Sequence, residues 1–261
     1  MRVTQKASSD LEADGPDRSV IGVRLEEERR RTGLLGDIRE AIFGAQDGLV
    51  STLAVVSTVS GATNDRYPVL IAGIAAALAG IFSMAAGEYL SSKSQREISL
   101  ALIADERERV GERRNEAKTE LTYLLEEQGL PAGEASIATD AIARHPEALL
   151  NLKVLAQHGV AVEEAQGSPL QGAIVMGAAF ALGALAPVLP YLFLPVGLAL
   201  YVSVIATAGV LFAIGVVKTR WTHGNPIWSG IEILVIGALA GVVGYFFGSV
   251  LPSLLGGPTV A

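Results

Sequence analysis

Five stretches of this chain are long and apolar enough to cross a lipid bilayer: residues 41–62, 68–90, 170–193, 195–217 and 227–250. About 20 mostly apolar residues suffice for one helical crossing. Their placement constrains the fold more than any other feature, because the charges avoid them. Of 20 basic and 27 acidic residues, all but seven lie in 1–40 and 93–166. The exceptions are Asp47, Asp65, Arg66, Glu88, Lys218, Arg220 and Glu232. Such a chain is not an ordinary soluble globule, which carries about 25% charge throughout. It reads as an all-α membrane protein of five transmembrane helices, with a helical insertion between the second and third.

The domain reading follows. Residues 1–33 form a polar tail, expected to be mostly disordered, since the runs Glu26-Glu27-Glu28 and Arg29-Arg30-Arg31 lack an apolar face. Residues 1–33 hold no short apolar core followed by a cleavage site, so no signal peptide is expected there. Residues 34–92 hold an amphipathic lead-in (34–43) and the first two spans, joined by a hairpin at 63–67. Residues 93–166 are the acidic insertion. Residues 167–261 hold spans three to five and a short tail. Pro190 and Pro195 break the long apolar run between spans three and four. Within the insertion, one helix is expected over 93–129, ending at Gly129 and Pro131. A second is expected over 132–143, and a third from Pro146 to Gly159.

Basic residues in short flanks set orientation. Arg29, Arg30, Arg31, Arg39, Lys93, Arg96, Lys218 and Arg220 fall on one side, and Arg66 alone on the other. This places the N-terminus and the insertion in the cytoplasm and the C-terminus outside, in a multi-pass protein of the cell membrane. The formal net charge of −7 argues against a nucleic-acid partner. With no Cys, disulfides, thiolate metal sites and Cys nucleophiles are excluded.

Carboxylates inside lipid are costly and mark ion or proton paths. Asp47 lies about 9 Å in from the start of the first span, at 1.5 Å per residue. Met84 reaches a similar depth from the same side in the second span. Glu88 follows Met84 at i+4, on the same face. Glu232 falls in the first turns of the fifth span, where an interfacial, water-touching position is the plain alternative. Asp47, Ser51 and Thr58 share a face suited to a lined cavity. Hard carboxylate oxygens beside a softer thioether suit a divalent transition metal.

A second feature is a stripe of Asp105, Glu108, Glu112, Glu116 and Glu120, which helical spacing keeps on one face. Like charges at i, i+4 repel, and a bound cation would relieve them. The alternative is a solvated face partnered by Arg109 and Arg113. Gly237, Gly241, Gly244 and Gly248 form a small-residue stripe of the kind that packs membrane helices. The chain lacks a P-loop, a G-x-S-x-G, an H-E-x-x-H and an E-x-x-H. His145, His158 and His223 are scattered, as surface or cap residues would be.

The segments DGLVSTLAVVSTVSGA (47–62) and AGIFSMAAGEYLSSKSQRE (79–97) resemble the vacuolar iron transporter family, including its bacterial members. The likeness extends from about Ile38 to Val250 and includes ALAPVLPYLF (184–193). The resemblance implies a homodimer of five-span subunits that moves Fe²⁺ or Mn²⁺ out of the cytosol in exchange for protons. It also implies an inter-subunit pathway using an Asp of the first span and a Met of the second, here Asp47 and Met84. Plant-type members carry a further acid where this chain has Ala76. Of the cytoplasmic ligand positions in those members, the resemblance retains Glu106 and Glu120. The others are Arg109, Ala117, Lys153, Val154 and Gln157 here, so a plant-like metal cluster is not implied.

The sequence therefore supports a metal/proton antiporter, not an enzyme, with no permanently bound cofactor and with Fe²⁺ or Mn²⁺ as cargo. Asp47 is the principal pathway ligand, Met84 the softer one, and Glu88 a first ligand on the way in or a proton-exchange site. Glu106, Glu108, Glu112, Glu116 and Glu120 would gather cations. The rival is a non-transporting membrane module, either a metal-responsive scaffold or a ferritin-like oxidase. The oxidase would need the E-x-x-H pairs of a di-iron bundle.

Overall fold

A computed structural model describes residues 18–162, 168–222 and 224–254, and every regular element among them is an α-helix. The order is α1 Arg18–Ala62, α2 Arg66–Glu112, α3 Arg114–Glu127, α4 Ala132–Ile142, α5 Pro146–His158, α6 Pro169–Phe193, α7 Val196–Thr222 and α8 Pro226–Leu254. Four of them, α1, α2, α6 and α7, are long and apolar enough to cross a membrane. In α8 the apolar stretch among the described residues is Pro226–Leu239. The chain divides into two compact units, one of residues 82–174 and one of the segments on either side of it.

Three sequence expectations need correction, one of them the break at Pro190, through which α6 continues to Phe193. Residues 18–33, read as part of a disordered tail, are the first turns of α1. No proline interrupts 18–62, Glu and Arg are good helix formers, and Glu26 sits 3.7 Å from Arg30 across one turn. The rest of that tail, 1–17, lies outside the described residues. The helix expected over 93–129 is instead the second half of α2 followed by α3. Nothing between 68 and 110 stops a helix, so the second span runs on into the charged segment. The break comes at Arg113, which leaves helical geometry at φ −127° and ψ 49° just after Gly111.

In the first unit, glycines let helices approach closely. A Cβ on Gly44 would stand 2.4 Å from the Met176 carbonyl oxygen, and one on Gly48 2.3 Å from that of Phe180. These glycines, at i and i+4 of α1, let its backbone touch that of α6. Beyond them a buried cluster of Leu53, Val56, Val69, Val188, Tyr191, Val196 and Ala199 ties α1, α2, α6 and α7 together. Ser60 and Tyr191 share a hydroxyl–hydroxyl hydrogen bond of 2.8 Å. Helix α6 continues through Pro187 and Pro190 to Phe193, and the Ser203 hydroxyl of α7 donates to the Pro187 carbonyl at 2.8 Å. The chain turns only at Leu194-Pro195. Helix α8 packs on α7 and α1. Its start is capped by Asn225 Oδ1, which accepts the N–H groups of Ile227 and Trp228 at 3.0 and 3.2 Å. Of the glycine stripe, Gly237 is buried and receives Leu211 of α7. Gly241, Gly244 and Gly248 fall outside the described side chains.

The second unit has its own core, built from Ile103, Val110, Ala117, Leu121, Leu149, Leu150 and Val154. Helices α4 and α5 lie close to the ranges the sequence predicted. Helix α5 begins with Pro146 after extended His145 and ends at Gly159 in the left-handed region, φ 66°.

Candidate metal pathway

Asp47 lies on α1 between Gly44 and Gly48, two of the residues at which α1 meets α6. It is half-buried. The Ser51 hydroxyl donates to the Asp47 backbone carbonyl at 2.6 Å, so the Asp47 carboxylate is not taken up by that neighbour. The Thr58 hydroxyl likewise turns back to Ala54 O at 2.8 Å. Thr52, fully buried five residues after Asp47, has a hydroxyl with no hydrogen-bond partner.

One acid on this face escaped the sequence reading. Glu40 is only 7% exposed and pairs with the guanidinium of Arg39 at 2.7 Å. It precedes Asp47 by seven residues, two helical turns, so both point from the same side of α1 about 10 Å apart along the axis. The i, i+7 spacing was the available signal. Among the charges of the lead-in segment that spacing does not stand out.

Met84 and Glu88 belong to the second unit, where both are half-buried on α2. The Ser92 hydroxyl donates to Glu88 Oε1 at 2.5 Å. Gly172 of α6 packs against the same carboxylate: a Cβ there would stand 3.3 Å from Glu88 Oε1. Glu88 is thus held between a hydroxyl and a helix backbone, and among the described residues no lysine or arginine is bridged to it. Glu232 is exposed, near the start of α8.

The acidic stripe crosses the helix break. Asp105, Glu108 and Glu112 stand on α2, and Glu116 and Glu120 on α3. All five line one groove of about 480 Å³. Arg109, Arg113 and Lys153 line it too. Arg113 lies 3.6 Å from Glu116, the pairing that spacing suggested. Arg109 instead approaches Glu106, at 3.9 Å. The feature that spacing could not show is Lys153 of α5. Its side chain is 1% exposed, and its ammonium bridges buried Glu106 and half-buried Glu120. Glu106 therefore sits behind the stripe, already neutralised. Ala117 and Val154 belong to the apolar core, and Gln157 is exposed. Among the described residues, no three Asp, Glu or His side chains converge closely enough to hold a metal ion. His145 caps α5 and His158 ends it, while His223 lies outside the described residues.

The model of the VIT family matches residues 38–249. "Vacuolar iron transporter 1" of Arabidopsis thaliana is 30% identical over 215 residues, 82% of this chain and 86% of the relative. The protein of the same name from Eucalyptus grandis is 31% identical over 209 residues, covering 80% and 84%. A "Vacuolar iron transporter" of Plasmodium falciparum is 28% identical over 224 residues, covering 82% of each chain.

Proposed function

From membership of the VIT family, to which this chain belongs, we propose that it carries Fe²⁺ or Mn²⁺ across a membrane, out of the cytosol, in exchange for protons. One observation carries the reading. Asp47 is a half-buried carboxylate inside a membrane-spanning helix, beside the α1–α6 backbone crossing, and among the described residues no lysine or arginine is bridged to it. A bare carboxylate at membrane depth is costly unless it serves an ion or proton. It can bind a dication when ionised and release it when protonated, which couples metal to proton movement.

In this reading Met84 adds a soft donor and Glu88 a first ligand or proton-exchange group. Glu40 adds a second acid on the Asp47 face. Helix α8 serves as the fifth span. The working protein is a homodimer in the cell membrane, with the N-terminus and the 93–166 segment in the cytoplasm and the C-terminus outside. The stripe Glu108, Glu112, Glu116 concentrates cations electrostatically. An oxidase would need the E-x-x-H pairs that this sequence lacks, and a scaffold would tolerate removal of Asp47.

The test is flux of Fe²⁺ and Mn²⁺ into proteoliposomes, with and without a pH gradient, for the parent and Asp47→Asn. The variant removes charge with little change of shape, and its flux should vanish while the protein stays folded. Parent-level flux in the variant would refute the assignment. Flux indifferent to the pH gradient would refute proton exchange.

A further inference from the structure

The family resemblance retains Glu106 and Glu120 as metal-ligand positions and puts Lys153 at a third. Glu106 stands on α2, Glu120 on α3 and Lys153 on α5, and the fold brings the three together. Lys153 is buried on its helix with Leu149, Leu150 and Val154, and its ammonium bridges the two carboxylates. A buried lysine needs paired charge, and here both partners are acids. The residues therefore do not fit a metal ion at this point. The place between the carboxylates is filled by a positive charge that cannot diffuse away. A dication brought there would share a desolvated space with that ammonium, where like charges repel far more strongly than in water. Arg109, 3.9 Å from Glu106, adds to the repulsion.

We infer that Lys153 is the resident cation of the 82–174 unit and stands in place of a metal. It joins α2, α3 and α5 through two carboxylates, as a bridging ion would. Stability drawn from a bound ion grows with the free concentration of that ion and falls on chelation. Stability drawn from a tethered ammonium does neither. The fold of this unit is thus independent of free metal, whatever ion the chain carries. The groove keeps Asp105, Glu108, Glu112 and Glu116, but Arg109 and Arg113 stand among them. Cations gather there diffusely and yield to salt. Removing the ammonium alone exposes the site it fills. Glu106 and Glu120 are then left without their shared cation, and water can complete the shell of a hard dication between them.

The test uses the full chain in detergent, with Mn²⁺ as the probe and salt at about 0.15 M to screen diffuse binding. Amide hydrogen exchange of α5 is followed in Mn²⁺ and in EDTA, and bound Mn²⁺ is counted by electron paramagnetic resonance. In the parent, α5 should exchange at the same rate in both. Lys153→Met should bind one more Mn²⁺ per chain than the parent, whatever the parent binds elsewhere. Adding Glu106→Gln to that variant should remove the extra ion. Circular dichroism checks that both variants are folded. Parent α5 that exchanges faster in EDTA than in Mn²⁺ would overturn the assignment, because a metal would then be holding the unit. So would a folded Lys153→Met that binds no extra ion, or an extra ion that survives Glu106→Gln. If Lys153→Met does not fold, the parent's exchange in Mn²⁺ and in EDTA still decides.

Discussion

Lys153→Met is the most informative perturbation of the 82–174 unit. It keeps an unbranched side chain of similar length but removes the ammonium that bridges Glu106 and Glu120. Glu120 is 44% exposed and can turn to water, whereas Glu106 is 3% exposed and cannot. Removing one partner of a buried pair costs about 3–5 kcal/mol, because the other charge stays desolvated. Arg109 stands 3.9 Å from Glu106 but is 63% exposed, so it offsets at most about 1 kcal/mol. The expected loss is about 3 kcal/mol, a factor of roughly 100 in local opening at 1.36 kcal/mol per decade. Amide hydrogen exchange of the full chain reads this directly in α5 and in the end of α2, which share the core of Val110, Leu149 and Val154.

Two further measurements separate charge from packing. Adding Glu106→Gln to Lys153→Met removes the stranded carboxylate, and most of the protection should return. Adding Mn²⁺ to the single variant should also restore protection, because the groove then holds five carboxylates against two arginines. The parent, with Lys153 in place, should respond to Mn²⁺ weakly and only at low salt. Parent-like exchange in Lys153→Met would show that the bridge stabilises nothing. Failure of both rescues would show that the side chain acts by packing alone.

Other outcomes follow from the same geometry. Met84→Leu keeps volume and loses the thioether, so Fe²⁺ flux should fall more than Mn²⁺ flux; equal loss would make Met84 a packing residue. Replacing Glu108, Glu112 and Glu116 together by Gln should raise the half-saturating metal concentration and leave maximal flux near the parent value. Complete loss of flux would put the stripe on the obligatory route. Gly48→Ala places a methyl 2.3 Å from the Phe180 carbonyl oxygen, and the required separation of α1 from α6 should cost about 1–3 kcal/mol. A lowered midpoint of thermal unfolding in detergent measures it, and an unchanged midpoint would refute the close crossing.

The apolar runs were readable because lipid demands a long apolar segment whatever surrounds it. The ends of α4 and α5 were readable because Pro146 and Gly159 act through their own backbone. What the sequence concealed depends on distant partners. Lys153 and Glu106 are 47 positions apart, and spacing along one helix says nothing about such a pair. Glu40 looks like one acid among many in a charged segment until α1 is seen to be a single helix whose Glu40 face is buried. The helix over 18–33 was missed for a related reason: absence of an apolar face argues against packing, not against helicity.

Lys153 and Asp47 show two opposite treatments of carboxylates in one chain. Outside the apolar spans, where water could hydrate free acids, the chain nonetheless supplies a fixed, buried cation to Glu106 and Glu120. Inside a span, where a counter-charge would be most valuable for stability, no lysine or arginine among the described residues bridges Asp47 or Glu88: a hydroxyl holds the Glu88 carboxylate, and the hydroxyl beside Asp47 turns to its backbone carbonyl instead. A fixed ammonium satisfies a carboxylate permanently and leaves it nothing to exchange. An acid held only by neutral groups can be satisfied in turn by a proton and by a metal ion, and a carrier needs that alternation. The contrast yields a sharp test. Introducing Lys at Ser51, one turn from Asp47, should give Asp47 a permanent partner and stop metal flux, even though the carboxylate itself is untouched. Introducing Gln at the same position should leave flux largely intact. If Ser51→Lys transported as the parent does, with the protein folded in the membrane, Asp47 could not be the group that alternates between proton and metal.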